Sequence, residues 1–267
     1  MKTILSIAQD FARICQIRAI VTGFSELVAP SLCIECQGFA PNGWSCTSCT
    51  SQVEWWTDQW CPVCANPPDR AHAAGCHSVK LPKPIGPQTK LPWAQTRSLA
   101  TYSGSIRSAC LSGKKKHGSW LSEFLTDLWW DLHSEWATNI GPCWIVPIPR
   151  HWSRRFLEGH DPSAFLSSKM AQNWISSGGK SANFLKRTRA TPYLSDLYTE
   201  ERFRVTDQLF KVTKSAVEEL TRISTVVLVD DILTTGATAI SAARALKLAG
   251  AKTIYLATMA RTLEAES

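Results

Sequence analysis

The sequence has no apolar run approaching the roughly 20 residues needed to cross a bilayer, so membrane insertion is not expected. It lacks a strong excess of one charge. Its 29 Lys and Arg stand against 22 Asp and Glu, a formal net charge of +7. That balance permits anionic partners but is far from the basic density of a histone-like protein. It also lacks the composition of a disordered polymer, with 44% apolar and only 19% charged residues. The first thirty residues have no clean secretory core, because Asp10, Arg13 and Arg18 interrupt the apolar pattern. Ile4, Ile7, Ala8, Phe11, Ile14 and Cys15 recur there at helical spacing. That spacing predicts an amphipathic helix within 1–30 that docks on the rest of the chain. A soluble, cytoplasmic protein is expected. No internal repeat is visible beyond pairs of cysteines.

What the sequence does have is ten cysteines, seven of them between Cys33 and Cys76. Secreted disulfide scaffolds spread cysteines along a small domain. Here they come as Cys-x-x-Cys pairs, which suits a metal. Cys33, Cys36, Cys46 and Cys49 form one four-ligand set: each knuckle turns two thiolates to one side, and two knuckles complete a tetrahedron around Zn²⁺. Cys61 and Cys64 open a second set, with Cys76 as third member and His72 or His77 as the fourth. His72 is favoured by its spacing from Cys76, and interleaved pairing between the sets stays open. One or two structural zinc ions are expected, substituting for a core that so short a segment cannot build. Trp44, Trp55, Trp56 and Trp60 cluster here, with packing favoured over base stacking. Cys110 and Cys143 are expected in the core.

Four zones follow: the helical lead-in 1–30, a cysteine zone 31–78, a proline-rich linker 79–95, and an α/β region 96–267. Within the last, strands are expected at 96–102, 143–148, 182–185, 225–229 and 252–260. Helices are expected within 111–135, with Trp120, Leu121, Phe124, Leu125, Leu128 and Leu132 on one side, and over 161–177 and 236–248. Asp161 would cap the second of these and Pro162 would take its first position. Strands alternating with helices argue for a doubly wound, mostly parallel sheet.

The strongest signal is Val226-Val227-Leu228-Val229-Asp230-Asp231-Ile232-Leu233-Thr234-Thr235-Gly236-Ala237-Thr238. Four apolar residues make a strand buried on both faces. Two carboxylates follow at its C-terminal end, where ligands bind in open α/β sheets. Small and hydroxyl residues then turn directly into a helix, offering backbone N–H groups and a positive dipole end to an anion. Asp230 and Asp231 beside a phosphate cradle make sense if they grip ribose hydroxyls, or a divalent cation bridging hydroxyls to a pyrophosphate. Mg²⁺ commonly combines few carboxylates with phosphate oxygens. Upstream, Val146-Pro147-Ile148-Pro149 leads into Arg150, Arg154 and Arg155, a strand end plus a basic loop. The run Lys114-Lys115-Lys116-His117 is a further cationic candidate.

The thirteen residues match the phosphoribosyl-pyrophosphate (PRPP) motif of type I phosphoribosyltransferases. Together with the cysteine pairs and the Pro-Ile-Pro turn, the chain resembles the ComF family. Its members join an N-terminal zinc ribbon to a phosphoribosyltransferase domain, and its founders are tied to natural DNA uptake. The resemblance implies that Asp230 and Asp231 contact the ribose 2′- and 3′-hydroxyls. It implies that Thr234, Thr235, Gly236, Ala237 and Thr238 cradle the 5′-phosphate. The family also has a lysine near 114–117, which makes that run a candidate for a phosphate or nucleic-acid contact, with a solvated surface run as the alternative. Arg150, Arg154 and Arg155 would lie on the pyrophosphate side. The chain departs from the family at Glu158-Gly159-His160-Asp161-Pro162, where Arg-Gly-Phe-Asn-Gln is usual. It departs again at Val79, where a cysteine is usual, and at Leu194 and Val205. Arg202 and Phe210 keep their places.

The expected function is binding of PRPP or a ribose phosphate with Mg²⁺, with phosphoribosyl transfer if the site turns over, in DNA uptake. The alternative is a non-catalytic protein that binds single-stranded DNA, or recruits a DNA-uptake helicase, through the ribbon and basic loops.

Overall fold

The structure, a computed structural model, describes residues 31–41, 43–67, 91–115, 118–150, 161–189, 201, 205 and 208–263. The lead-in helix, residues 79–90 of the proline-rich segment, His72, His77, Cys76, Arg154 and Arg155 lie outside them.

Strand β6 (Thr225–Leu233) is the centre of a five-stranded sheet. Its neighbours are β7 (Thr253–Arg261) and β2 (Cys143–Pro147), with β1 (Gln95–Thr101) beyond β7 and β3 (Gly179–Ser181) beyond β2. Every pairing in this sheet is parallel. A two-stranded antiparallel ribbon, β4 (Leu185–Arg187) with β5 (Phe210–Val212), stands apart. The α/β helices are α2 (Gly104–Gly113), α3 (Ser119–Ile140), α4 (Pro162–Asn173), α5 (Lys214–Arg222) and α6 (Ala237–Leu248), and a short α1 (Thr47–Ser51) belongs to the cysteine zone.

Alternation along β6 divides the core. Val226 and Leu228 point to one face and join a cluster with Leu220 of α5 and Ile240 and Leu246 of α6. Val227 and Val229 point to the other, with Leu125 and Trp129 of α3 and Leu166 and Met170 of α4. The sheet is therefore covered on both sides, as a doubly wound sheet requires. Cys110 and Cys143 are buried in the second cluster, and burial pushes both thiols up to about 12.

The chain leaves β2 toward β3 at one edge but leaves β6 toward β7 in the other direction. This reversal puts a topological switch point between the C-terminal ends of β2 and β6, where a crevice opens in such sheets. Pairing of β2 with β6 stops at Pro147↔Val229, while β6 continues beside β7 to Leu233↔Arg261.

Several elements differ from the sequence reading. The 111–135 pattern belongs to two helices, because Lys114 and Lys115 end α2 and Gly118 turns the chain into α3. A Cβ on Gly118 would lie 1.9 Å from the Ser112 carbonyl oxygen, so that corner admits only glycine. Trp120 is exposed, and the buried stripe of α3 runs on instead through Trp129, His133 and Ala137. The strand expected at 182–185 is not formed: residues 182–184 connect β3 to β4, and only Leu185 lies in a strand. Asp230 and Asp231 lie within β6 rather than after it. Asp161 does cap α4, its carboxylate accepting from the Ala164 N–H at 3.4 Å, with Pro162 at the first helical position.

The cysteine zone packs against this sheet. Residues 54–62 run along the outer edge of β1, with Trp55 bridging Ala100, the Trp56 N–H donating to Leu99 O at 2.9 Å, and Thr96 N–H donating to Pro62 O at 2.6 Å. An edge strand that would otherwise present unpaired backbone is thereby covered. Trp44, Trp56 and Trp60 are buried. Trp44 packs on Phe124 of α3 with centroids 5.4 Å apart, so these three rings are packing residues and offer no face to a base. The Arg97 guanidinium also lies over the Trp56 ring at 4.6 Å and over the Trp136 ring at 5.1 Å.

Candidate ribose-phosphate site and cysteine centre

The C-terminal part of β6 carries the two carboxylates to the switch point. They lie past the end of β2, where the hydrogen-bonded neighbour on that side has run out. The strand then turns at Thr234–Gly236 into α6. Gly236 caps the helix with φ 76° and ψ 0°, a left-handed conformation that glycine adopts without a Cβ clash. The Ala237 N–H donates to Thr235 Oγ1 at 3.4 Å, and α6 begins with Ile240 N–H donating to Gly236 O at 2.8 Å. The first N–H groups of α6 therefore open beside the carboxylates.

Asp230 and Asp231 are adjacent and partly buried, yet their surroundings differ. Asp231 carries an ion pair to Lys114 Nζ at 3.0 Å and another to Arg150 Nη2 at 3.4 Å. Burial opposes its charge, but Lys114 and then Arg150 outweigh that and hold its carboxyl below the usual range. Asp230 is pushed up to about 8, by burial first and by the charge of Asp231 second, against hydrogen bonds from the Asp231 N–H and Ser163. One carboxylate is held charged while its neighbour keeps a proton near neutrality, a division expected when two acids share a confined site.

Two groups the sequence left unassigned or only weighed are brought to this pair, and a third, Asp161, braces the loop and helix that carry their neighbours. Lys114 comes from the end of α2. Ser163, in the first turn of α4, donates from Oγ to Asp230 Oδ1 at 3.2 Å. Asp161 accepts from the Arg150 N–H through Oδ2 at 3.4 Å while it caps α4, so one carboxylate anchors both the loop after β2 and the start of α4. Asp161-Pro162-Ser163 was legible as a helix start. Its approach to Asp230 depends on the sheet order, which no local pattern encodes.

At the other end of the described chain, the Sγ atoms of Cys33, Cys36, Cys46 and Cys49 all lie within 4.8 Å of one another. Cys36 and Cys46 are 3.7 Å apart, close to the roughly 3.8 Å implied by four Zn–S bonds of ~2.3 Å at tetrahedral angles. Gln37, at φ 61°, tightens the first knuckle, in which Cys33 N–H donates to Gly38 O at 2.7 Å. Cys46 caps α1. Burial raises the Cys33 thiol, but hydrogen bonds from the backbone of Cys36, Cys46 and Glu35 and from Ser45 outweigh it and bring it down to about 6. Cys49 is pushed up to about 12, first by the sulfurs of Cys46 and Cys36. Four sulfurs this close repel as anions unless a cation binds them, and the set fits a structural zinc. Cys61 and Cys64 form their own turn, with Ala65 N–H donating to Cys61 O at 2.9 Å.

Residues 188–267 match the model of the phosphoribosyl transferase domain. This segment holds β6, its carboxylates and the turn into α6. Over 247 residues the chain is 28% identical to the DNA utilization protein YhgH of Shigella flexneri, covering 89% of this chain and all of that one. The same name and identity apply to a protein of Escherichia coli strain K12. The chain is ComF-like. A four-cysteine cluster is joined in it to a phosphoribosyltransferase domain of the type I fold.

Of the three basic-loop candidates, Arg150 lies beside Asp231, and Arg154 and Arg155 lie outside the described residues. Thr234, Thr235, Gly236, Ala237 and Thr238 form the turn and first residues of α6. Among the described residues, no helix is long and apolar enough to cross a membrane.

Proposed function

We propose that this chain binds PRPP, or a related ribose 5-phosphate, together with Mg²⁺ at the junction of β6 and α6. The observation that carries the reading is the asymmetric pair Asp230–Asp231 immediately before a left-handed glycine and an open helix start. The two carboxylates would take the ribose hydroxyls, and the N–H groups and hydroxyls of residues 234–238 would take the 5′-phosphate. Lys114 and Arg150 supply positive charge beside Asp231, suited to the pyrophosphate end. Mg²⁺, held through Asp230 or Asp231 and the ligand's own oxygens, would neutralise pyrophosphate charge. If the site turns over, a nitrogen nucleophile displaces pyrophosphate from C1′ through an oxocarbenium-like state. The chain's part is to orient the ribose and to set fixed charges around the leaving group.

The resemblance to proteins named for DNA utilization supports a role in DNA uptake or use for this chain as well. The four-cysteine cluster would hold a structural zinc in that role. Pyrophosphate release from PRPP, measured with a panel of nucleobases and with single-stranded DNA, tests the transfer reading. Release that depends on an acceptor and disappears in Asp230→Asn/Asp231→Asn supports it. Release unchanged in the double variant contradicts it.

A further inference from the structure

Arg261, the last residue of β7, is 1% exposed and belongs to none of the clusters described so far. Its guanidinium reaches five amide carbonyl oxygens. On one side Nη1 donates to Leu233 O at 3.0 Å, to Thr234 O, and to Thr262 O at 2.8 Å. On the other side Nε donates to Cys64 O and to Asn66 Oδ1, each at 3.0 Å. We propose that Arg261 is the positioning residue that presents the 234–238 turn to a 5′-phosphate and ties that turn to the Cys61–Asn66 segment. This inference rests on the ribose-phosphate reading above.

The argument is one of peptide geometry. In a planar trans peptide the C=O and the following N–H point in opposite directions. Holding the Leu233 and Thr234 carbonyls inward therefore turns the Thr234 and Thr235 N–H groups outward, away from Arg261. These amides open the turn ahead of Gly236 and the start of α6. The fixed cation behind the turn adds attraction for an anion in front of it, where the low dielectric of the interior preserves the field. Only a planar fork reaches both sides at once. A lysine is a point charge and could hold one side but not the other.

The far side is itself rigid. Cys61 N–H donates to Asn66 O at 2.8 Å, and Val63 O accepts from Trp93 Nε1 at 2.9 Å and Thr96 Oγ1 at 2.7 Å. Through Arg261, the second Cys-x-x-Cys turn becomes the support on which the phosphate turn rests. Asn66 should thus affect phosphate binding although the distant strand β1 and the cysteine zone surround it.

The test uses the full chain and its Arg261→Lys and Asn66→Ala variants. Calorimetry with ribose 5-phosphate and with inorganic pyrophosphate is paired with hydrogen exchange of the peptide spanning 234–240. Arg261→Lys should weaken ribose 5-phosphate by about tenfold or more and speed exchange in that peptide, with pyrophosphate affinity much less affected. Asn66→Ala should act in the same direction more weakly, and it keeps the test open should the arginine variant fold poorly. Variants that bind ribose 5-phosphate as the parent does, or that lose both ligands equally, would overturn the positioning role. A parent chain that binds neither ligand would instead overturn the ribose-phosphate reading itself.

Discussion

Asp230 and Asp231 are covalent neighbours in one strand, but their protons are governed by different contacts. Lys114 and Arg150 both face Asp231, while Asp230 meets Ser163 and the Asp231 N–H. With its carboxyl pushed up to about 8 in the folded chain and near 4 unfolded, Asp230 binds a proton in the folded state that the unfolded state has lost. Below about pH 4 both states hold it, and above about pH 8 neither does. The contribution of this group to stability therefore falls as pH rises through that window. Urea midpoints at pH 5 and pH 8 should show Asp230→Asn with a smaller loss on raising pH than the parent, and equal losses would contradict the assignment. Binding of a cation and ribose at the pair should expel the Asp230 proton. Calorimetry at pH 7 in buffers of different ionisation enthalpy should then report release of up to about one proton per ligand bound. The acidic pair and the turn were legible in the sequence because they are contiguous. Lys114 was a candidate only as part of a basic run, and Ser163 and Arg261 were not read as partners, because each comes from a different element and only the sheet order brings them together.

Two helix starts frame the site, and each rests on one residue. Gly236 lies at φ 76°, where a Cβ costs roughly 1–2 kcal/mol. Gly236→Ala should lower stability by about that amount and weaken phosphate binding beyond it, since the turn must open to relieve the strain. Denaturant titration set beside phosphate binding separates the two effects. Asp161 caps α4 and accepts from the Arg150 N–H. Asp161→Ala should cost about 1 kcal/mol from the lost cap and also loosen Arg150 and Ser163, measured as weaker pyrophosphate binding. Element identity was readable where periodicity ran unbroken, as in β6, α6 and β7. It failed at 111–135, where a three-lysine run and Gly118 break what the apolar pattern joins. It also missed β5 and α5, whose few apolar residues gave no long period to read.

The molecule as a whole joins a four-cysteine cluster to a sheet through buried contacts. Ser45 Oγ and Ser105 Oγ are 2.8 Å apart, Ser108 Oγ donates to Glu35 Oε2 at 2.6 Å, and Trp44 enters the core beneath α3. The cysteine spacing foretold the four-sulfur set. It carried no information about the strand edge that residues 54–62 cover, since edge coverage depends on where β1 lies in the sheet. Cys46→Ser should release metal, followed with a chromogenic chelator, and lower the melting temperature of the whole chain in one transition. A variant that loses metal but melts as the parent does would separate the cluster from the sheet. The central claim concerns the other end of the molecule, and calorimetric titration of Mg²⁺ and PRPP into the intact chain tests it most directly. The account predicts Mg²⁺-dependent binding that is lost in Asp230→Asn/Asp231→Asn, whereas no heat of binding with the parent chain, or equal binding by the double variant, would contradict it.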